Sequence, residues 1–354
     1  MQKRERCVLH VLPHAGGGGE TYVDVLSPMS GYRFRRVYVA PKRKPAVGEV
    51  AAGIVALARL LRGYDLLHVH GEATAGLCLP LLAARPSVVT LHGLHLLRRV
   101  RGFRRRAAAL NLRAVLRAAS RTICVSNAER EQLASVVGRA ALQRALVIHN
   151  GARIATPATD AERGAVRREL GIAQSQPVAI WVGSLDERRD PLVAIRAALR
   201  TSTPLLVVGD GPLRSEAERA ARSPIQVLGH REDVPRLLAA ADLFVLVSER
   251  EGLSFALLEA MAHGLPAIVA DVAENVEAVG DSGLAVPYAD EEAVATALRR
   301  LVEKEEERAA LGERARRRVA ELFAADDMID RTRAVYDEVL AERKPYRPRG
   351  SRSV

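Results

Sequence analysis

The chain has 354 residues, 48% of them apolar and 27% charged, a globular composition long enough for two separate cores. Its net charge of +11 is uneven, with 24 Lys and Arg against 8 Asp and Glu in residues 1–150 and 29 against 34 in the remainder. No apolar run approaches the roughly 20 residues of a membrane span, and three widely spaced cysteines, Cys7, Cys78 and Cys124, argue against a disulfide framework and fit reduced thiols.

In chain order, short β-rich runs alternate with helical patterns. "CVLHVLP" precedes a helix from about residue 20; "RRVYVA", the helix "VGEVAAGIVALARLLRG", "DLLHVHG", a helix over about 73–84, "SVVTLHG" and a basic helix follow; then "RTICVSN", a helix from about Ala128, and "ALVIHNG". The basic start of the chain leads into only about six apolar residues and then glycines, which is neither a signal peptide nor an anchor. Such alternation predicts a parallel sheet covered by helices on both faces.

The pattern restarts after residue 175 with "VAIWVG", "PLLVVGDG", "IQVLG" and "LFVLVS", each followed by a helix, then "PAIVAD" and a short strand near "GLAVPY", and is helical from about 290 to 342. The expected class is therefore α/β, with two Rossmann-like doubly wound parallel-sheet domains in tandem. The predicted bounds are 1–160 and 161–325, then a terminal helix over 326–342 that returns to the first domain, and a disordered basic tail over 343–354. Open parallel sheets bind ligands in the loops after the carboxyl ends of their strands, which places the candidate site at a cleft between two such domains.

Several of these loops carry chemistry. Gly16, Gly17, Gly18 and Gly19 follow the first strand and open a helix, where bare backbone N–H groups can approach an anion; simple turn-making is the alternative. No GxGxxG fingerprint is present. In "EREGLSFALLEAMAHGLP", Ser254 is the predicted N-cap, Gly264 the helix stop and Pro266 the guard against continuation. Glu251 then precedes the helix and Glu259 lies within it, and the N–H groups of Gly252, Leu253, Ser254 and Phe255 can hold a phosphate between them. On one continuous helix the two acids would stand about 12 Å apart, too far for an acid–base pair.

These pieces together resemble glycosyltransferase family 4, the retaining enzymes of the GT-B fold that use nucleotide sugars. The likeness rests on "GGGGETYV", "VVTLHG", "ICVSNAERE", "VIHNG", "WVGSLDERRDP", "VVGDGP" and, most specifically, "VLGHREDVPRLLAAADLFVLVSEREGLSFALLEAMAHGLPAIVAD" and "AENVEAVGDSGLAVP". The resemblance implies that Glu251 contacts hydroxyls of the donor sugar and that Glu259 binds the nucleotide ribose. Gly16 to Gly19, Arg189, Gly252, Leu253 and Ser254 would face the donor phosphates, and His92 the donor sugar from the N-terminal domain; Gly229, His230 and Arg231 form a candidate loop on the base side. One departure stands out: the family usually carries Arg and Lys in a "GRL...K" pattern, whereas here Ser184 takes the Arg position and Arg189 the Lys position.

The implied activity is transfer of a sugar from a UDP or GDP sugar to a hydroxyl acceptor, glycan or lipid-linked, in envelope polysaccharide or glycolipid synthesis. No metal and no cofactor beyond the nucleotide-sugar co-substrate is expected. His68 and His70 share a strand face, but no Cys or carboxylate completes a ligand set at a recognisable spacing; His10, His230 and His263 are read as structural. The basic segment 98–121 has Phe103 as its one aromatic residue and no nucleic-acid-binding signature. It is read as either a solvated face or a surface for an anionic acceptor or membrane, giving a cytoplasmic protein, peripheral on the inner face of the cell membrane. A nucleotide-sugar epimerase and a non-catalytic binding homologue remain as alternative functions.

Overall fold

The computed structural model describes residues 4–40 and 63–342. The expected helix "VGEVAAGIVALARLLRG" and the basic tail fall almost wholly or wholly outside them. The chain forms two compact units, one of residues 1–125, 130–148 and 329–354, the other of residues 126–129 and 149–328.

In the first unit, β1 (Arg6–Leu12), β2 (Tyr32–Tyr38), β3 (Leu66–His70), β4 (Ser87–Thr90), β5 (Arg121–Cys124) and β6 (Ala145–Val147) form a parallel sheet in the order β2-β1-β3-β4-β5-β6. β1, β3 and β4 are buried almost throughout, as continuous apolar runs inside a helix-covered sheet must be. β2 is an edge strand, and its alternating exposure explains why "YRFRRVY" interleaves arginines with apolar residues.

The sheet order reverses between β1 and β3. The loops that follow these two strands carry Gly16 to Gly19 and Gly71. Helix Ala325–Ala341 supplies Val335, Tyr336 and Val339 as buried residues. It is held to this unit by Asp337, which accepts from Arg6 and from Tyr32, each at 2.8 Å.

One expected helix is interrupted, and the basic segment holds two helices. The run 73–84 divides at Cys78 into Glu72–Leu77 and Leu79–Ala84, with Pro80 in the first turn of the second piece, where a missing N–H costs nothing. The basic segment divides into His95–Arg99 and Gly102–Ala118, separated by extended residues Val100 and Arg101 and by Gly102 at φ 56°.

The second unit pairs β7 (Ala179–Val182), β8 (Leu205–Val208), β9 (Ile225–Gly229), β10 (Leu243–Leu246), β11 (Ala267–Ala270) and β12 (Gly283–Val286) in the order β12-β11-β10-β7-β8-β9, all parallel. The chain winds outward one way from β7 and the other way from β10. The junction of β7 and β10 is therefore the topological switch point, where the following loops part to leave a crevice. Trp181 is fully buried under this junction.

Candidate active site

Glu251 sits in the loop after β10, only 3% exposed. The loop after the adjacent β7 brings two guanidinium groups to it: Arg189 Nε lies 3.4 Å and Arg188 Nη1 3.6 Å from its carboxylate. The two loops are also zipped through the backbone. Glu249 N–H donates to the Arg188 carbonyl at 2.9 Å, and Arg188 Nη1 donates to the Arg250 carbonyl at 3.2 Å.

Arg189 takes its place because Asp186 accepts from its N–H at 3.1 Å and because Gly183 has no side chain. A Cβ on Gly183 would meet Arg189 Nη1 at 2.4 Å. Gly209, after β8, approaches still closer, since a Cβ there would lie 1.8 Å from the Gly183 carbonyl oxygen at a φ of +137°.

Ser254 is the N-cap of helix Phe255–Ala262, accepting from Leu257 N–H at 3.4 Å, and Gly264 leaves the helix at φ 77°. The first N–H groups of this helix have no intrahelical acceptor and carry its positive end. Asn150, which sequence reasoning left unassigned although it lies in "VIHNG", donates to the Leu253 carbonyl at 2.6 Å and fixes the loop's orientation. Glu259 lies one turn into the helix. Burial pushes its carboxyl up to about 7, and no ion-pair partner stands beside it among the described residues.

Arg189, Glu251, Gly252, Leu253, Ser254 and Glu259 are thus brought to one switch point. Gly229, His230 and Arg231 are not: they end β9, three strand spacings or about 14 Å from β10. The Arg231 guanidinium there is engaged by Asp233 at 2.7 and 2.8 Å.

In the first unit, Gly17 caps helix Gly18–Leu26 with φ 86°, and Gly16 has φ 77°. The Gly16 N–H donates to the Glu20 carboxylate at 2.5 Å, and Tyr38 donates to the same carboxylate at 2.5 Å. An acid of the chain itself therefore occupies the anion position of the glycine loop. The Tyr38 hydroxyl, with Gly16 and Arg36, holds Glu20 below the usual carboxylate range.

His92 follows β4 with φ 62°, a left-handed conformation that histidine tolerates better than most residues. Its Nε2 lies 2.8 Å from His70 Nδ1, and His70 Nε2 lies 2.9 Å from His10 Nδ1. His68 belongs to a second chain, with Tyr336 hydroxyl 2.6 Å from Nδ1 and Thr90 hydroxyl 2.8 Å from Nε2. The period of two puts His68 and His70 on one face, as expected; strand pairing adds His10 opposite His68 and Thr90 opposite His70.

Burial drives all four imidazoles toward the neutral form, His10, His68 and His70 well below the ordinary range and His92 to about 3. Ring nitrogens of His10, His68 and His70 lie within 4.8 Å of one another, close enough to suggest a metal. The residues fit a hydrogen-bonded array better. Two of those rings are already joined nitrogen to nitrogen, His68 has partners at both nitrogens, and among the described residues no carboxylate joins the group to offset a buried dication. His10, set aside in the sequence, is therefore part of the array.

A family model described as "Glycosyltransferase Family 4" matches residues 4–155, and one described as "Glycosyl transferases group 1" matches residues 176–304. The chain belongs to glycosyltransferase family 4.

Among curated members similar to it, N-acetyl-alpha-D-glucosaminyl L-malate synthase of Bacillus anthracis is 31% identical over 51% of this chain and 50% of that protein. UDP-Gal:alpha-D-GlcNAc-diphosphoundecaprenol alpha-1,3-galactosyltransferase of Escherichia coli is 29% identical over 63% of this chain and 62% of that protein. The chain thus matches between half and two thirds of the length of these two relatives. Among solved structures, a sucrose-phosphate synthase of Thermosynechococcus elongatus superposes with a TM-score of 0.80 at 21% identity, covering 96% of this chain and 100% of that one. Anabaena HepE, solved with UDP and glucose, gives 0.80 at 19% identity over 94% and 100%. These likenesses place the family 4 chain in the GT-B fold.

Proposed function

We propose that the protein is a retaining glycosyltransferase, moving a sugar from a UDP or GDP sugar to a hydroxyl of a glycan or lipid-linked acceptor in envelope glycoconjugate synthesis. The observation that carries this reading is the constellation at the β7/β10 switch point: buried Glu251 flanked by Arg188 and Arg189, followed directly by a Ser254-capped helix N-terminus. It is supported by the names of the relatives, one of which specifies a UDP sugar and an undecaprenyl-linked acceptor.

In this reading Glu259 takes the ribose and Glu251 the transferred sugar. Arg189 and the N–H groups of residues 252–255 take the diphosphate, with Gly16 to Gly19 as a further phosphate contact. The bond from the anomeric carbon to the phosphate oxygen breaks with its electron pair going to the diphosphate. The helix terminus and Arg189 stabilise that growing charge. The acceptor oxygen then bonds to the anomeric carbon on the face that the phosphate leaves, and its proton passes to the departing phosphate. No metal or further cofactor takes part, and His92 orients the sugar.

Release of UDP and GDP from a panel of nucleotide sugars, with and without an acceptor pool, tests this. Acceptor-dependent release that is lost in Glu251→Gln is the expected result. Conversion of the donor without acceptor would instead indicate an epimerase, and binding without turnover a non-catalytic homologue.

We assign the inner face of the membrane as the place of work. Arg104, Arg105 and Arg106 are exposed on helix Gly102–Ala118 beside Phe103, 83% exposed, and Leu110, 62% exposed, a basic surface with apolar residues that suits anionic headgroups. No helix among the described residues is long and apolar enough to cross a membrane. Replacing the three arginines by Ser should abolish sedimentation with anionic liposomes; unchanged sedimentation removes the membrane from the reading.

A further inference from the structure

The chain His10–His70–His92 has a direction, and the buried end reveals it. The ring centroids stand 5.2 and 5.1 Å apart at the two links, as far as nitrogen contacts of 2.9 and 2.8 Å allow, so each contact lies near both ring planes, where N–H bonds and lone pairs point. With every ring neutral there is one proton per imidazole, and each link needs one donor and one acceptor. The protons therefore all point toward His92 or all away from it.

If they point away, the last of them is the His10 Nε2–H, which is buried and has no hydrogen-bond partner among the described residues. If they point toward His92, that atom is a bare lone pair. Among backbone groups a stranded buried N–H is rarer than an under-used acceptor, and the same preference carried over to the imidazole selects the second arrangement. His10 Nδ1–H then donates to His70 Nε2, and His70 Nδ1–H donates to His92 Nε2. The proton of His92 is left on Nδ1.

Other observations support a fixed array. Tyr22, fully buried, packs edge-on against His68, His70 and His92 at ring separations of 5.8, 5.4 and 5.1 Å. His68 stacks on His70 at 4.3 Å and is itself held by Tyr336 and Thr90. His70 cannot rotate without breaking both of its links.

We propose that His70, backed by His10, is a positioning residue that holds His92 as a single neutral tautomer with its proton on Nδ1, so that His92 offers a hydrogen-bond donor, and not an acceptor, to an oxygen of the transferred sugar. The last clause rests on the role given to His92 above; the tautomer itself does not.

The test is long-range ¹H–¹⁵N correlation of ¹⁵N-histidine-labelled protein at pH 7, with ring signals assigned by single substitutions. The expected spectrum shows His92 and His70 each protonated at Nδ1. In His70→Phe, which keeps the ring but removes both nitrogens, His92 should become a mixture of tautomers. In His70→Asn, whose amide nitrogen can reproduce the Nδ1 donor, the single tautomer should return. Transfer in His70→Phe should fall about tenfold in kcat with KM for the nucleotide sugar little changed, as for one lost hydrogen bond in the transition state, and His70→Asn should recover part of it.

A His92 proton on Nε2 in the wild-type chain overturns the proposal, and so does an unchanged His92 signal in His70→Phe. Because the wild-type spectrum is read directly, a variant that fails to fold leaves the test intact. The expected tautomer in a protein that transfers no sugar would overturn the transferase reading and leave the array standing.

Discussion

Arg189 Nε lies 3.4 Å from the Glu251 carboxylate, so the guanidinium assigned to the donor phosphate is already committed to the acid assigned to the donor sugar. The pair is mostly buried, with side-chain exposures of 17% and 4%. Arg189→Ala takes one of two cations away from a buried carboxylate and should destabilise the protein by about 2 kcal/mol. Arg189→Ala combined with Glu251→Gln should cost less than Arg189→Ala alone, because no buried charge then loses its partner. Equilibrium denaturation of the set measures this, and a double variant less stable than the single one would contradict the pairing.

Ser184 stands in the same loop, its carbonyl accepting from Asp186 N–H at 2.9 Å. With Arg188 and Arg189 both drawn to Glu251, a further cation is the change that the site can use. Ser184→Arg should tighten UDP or GDP binding about tenfold by adding charge-assisted hydrogen bonds to the diphosphate. Calorimetric titration of the nucleotide checks it; unchanged affinity would mean that position 184 does not face the phosphates.

Glu259 links binding to stability. Its carboxyl is pushed up to about 7 from an ordinary 4.5 by burial. The native state therefore binds more protons than the unfolded state between those values. The associated stability is complete below about pH 4.5 and is lost as pH rises through 7. Glu259→Gln should leave stability at pH 4 nearly unchanged and raise it at pH 8, by at most about 3 kcal/mol, while weakening nucleotide binding. Melting curves across this range would show equal shifts at both ends if the Glu259 carboxyl were not pushed up by burial.

Gly209 should tolerate no side chain. The Cβ of Gly209→Ala would fall 1.8 Å from the carbonyl oxygen of Gly183, a residue whose N–H donates to the Val208 carbonyl at 2.9 Å, so the loops after β7 and β8 would have to separate. The expected loss is about 4 kcal/mol or more, visible as insoluble protein or a collapsed melting transition. A stable Gly209→Ala protein would show that the two loops are not packed backbone to backbone.

Glu20 guards the glycine loop. A phosphate that uses the Gly16 N–H must displace the Glu20 carboxylate or share the site with a like charge. Glu20→Gln should thus raise affinity for a nucleoside diphosphate several-fold, up to about tenfold, most clearly at low salt. Equal affinities in the two proteins would remove Gly16 to Gly19 from the phosphate site.

Local features were legible in the sequence and paired ones were not. Ser254 and Gly264 could be assigned because a cap and a left-handed stop are decided within a few residues. The inner strands of both sheets were visible because buried parallel strands are unbroken apolar runs. The grip of Arg188 and Arg189 on Glu251 joins residues more than sixty positions apart, and it exists only because β7 and β10 are neighbours in the sheet. His10 was passed over for the same reason. "CVLHVLP" gives no sign that its histidine will meet His70 until β1 is paired with β3. The break between His95–Arg99 and Gly102–Ala118 was not anticipated, because the run of arginines in "LRRVRGFRRR" has no apolar periodicity to mark it.

Tyr336 completes the first unit from the far end of the chain, its hydroxyl 2.6 Å from His68. During synthesis, the polypeptide up to residue 148 leaves the ribosome with that histidine face lacking its cover. At about 5–20 residues per second, the missing helix arrives some ten to forty seconds later. Until then the first unit is an unfinished nascent domain, and the second can fold ahead of it. A chain prematurely released before residue 336 would carry every residue assigned to the nucleotide sugar and yet leave His68 without its phenol.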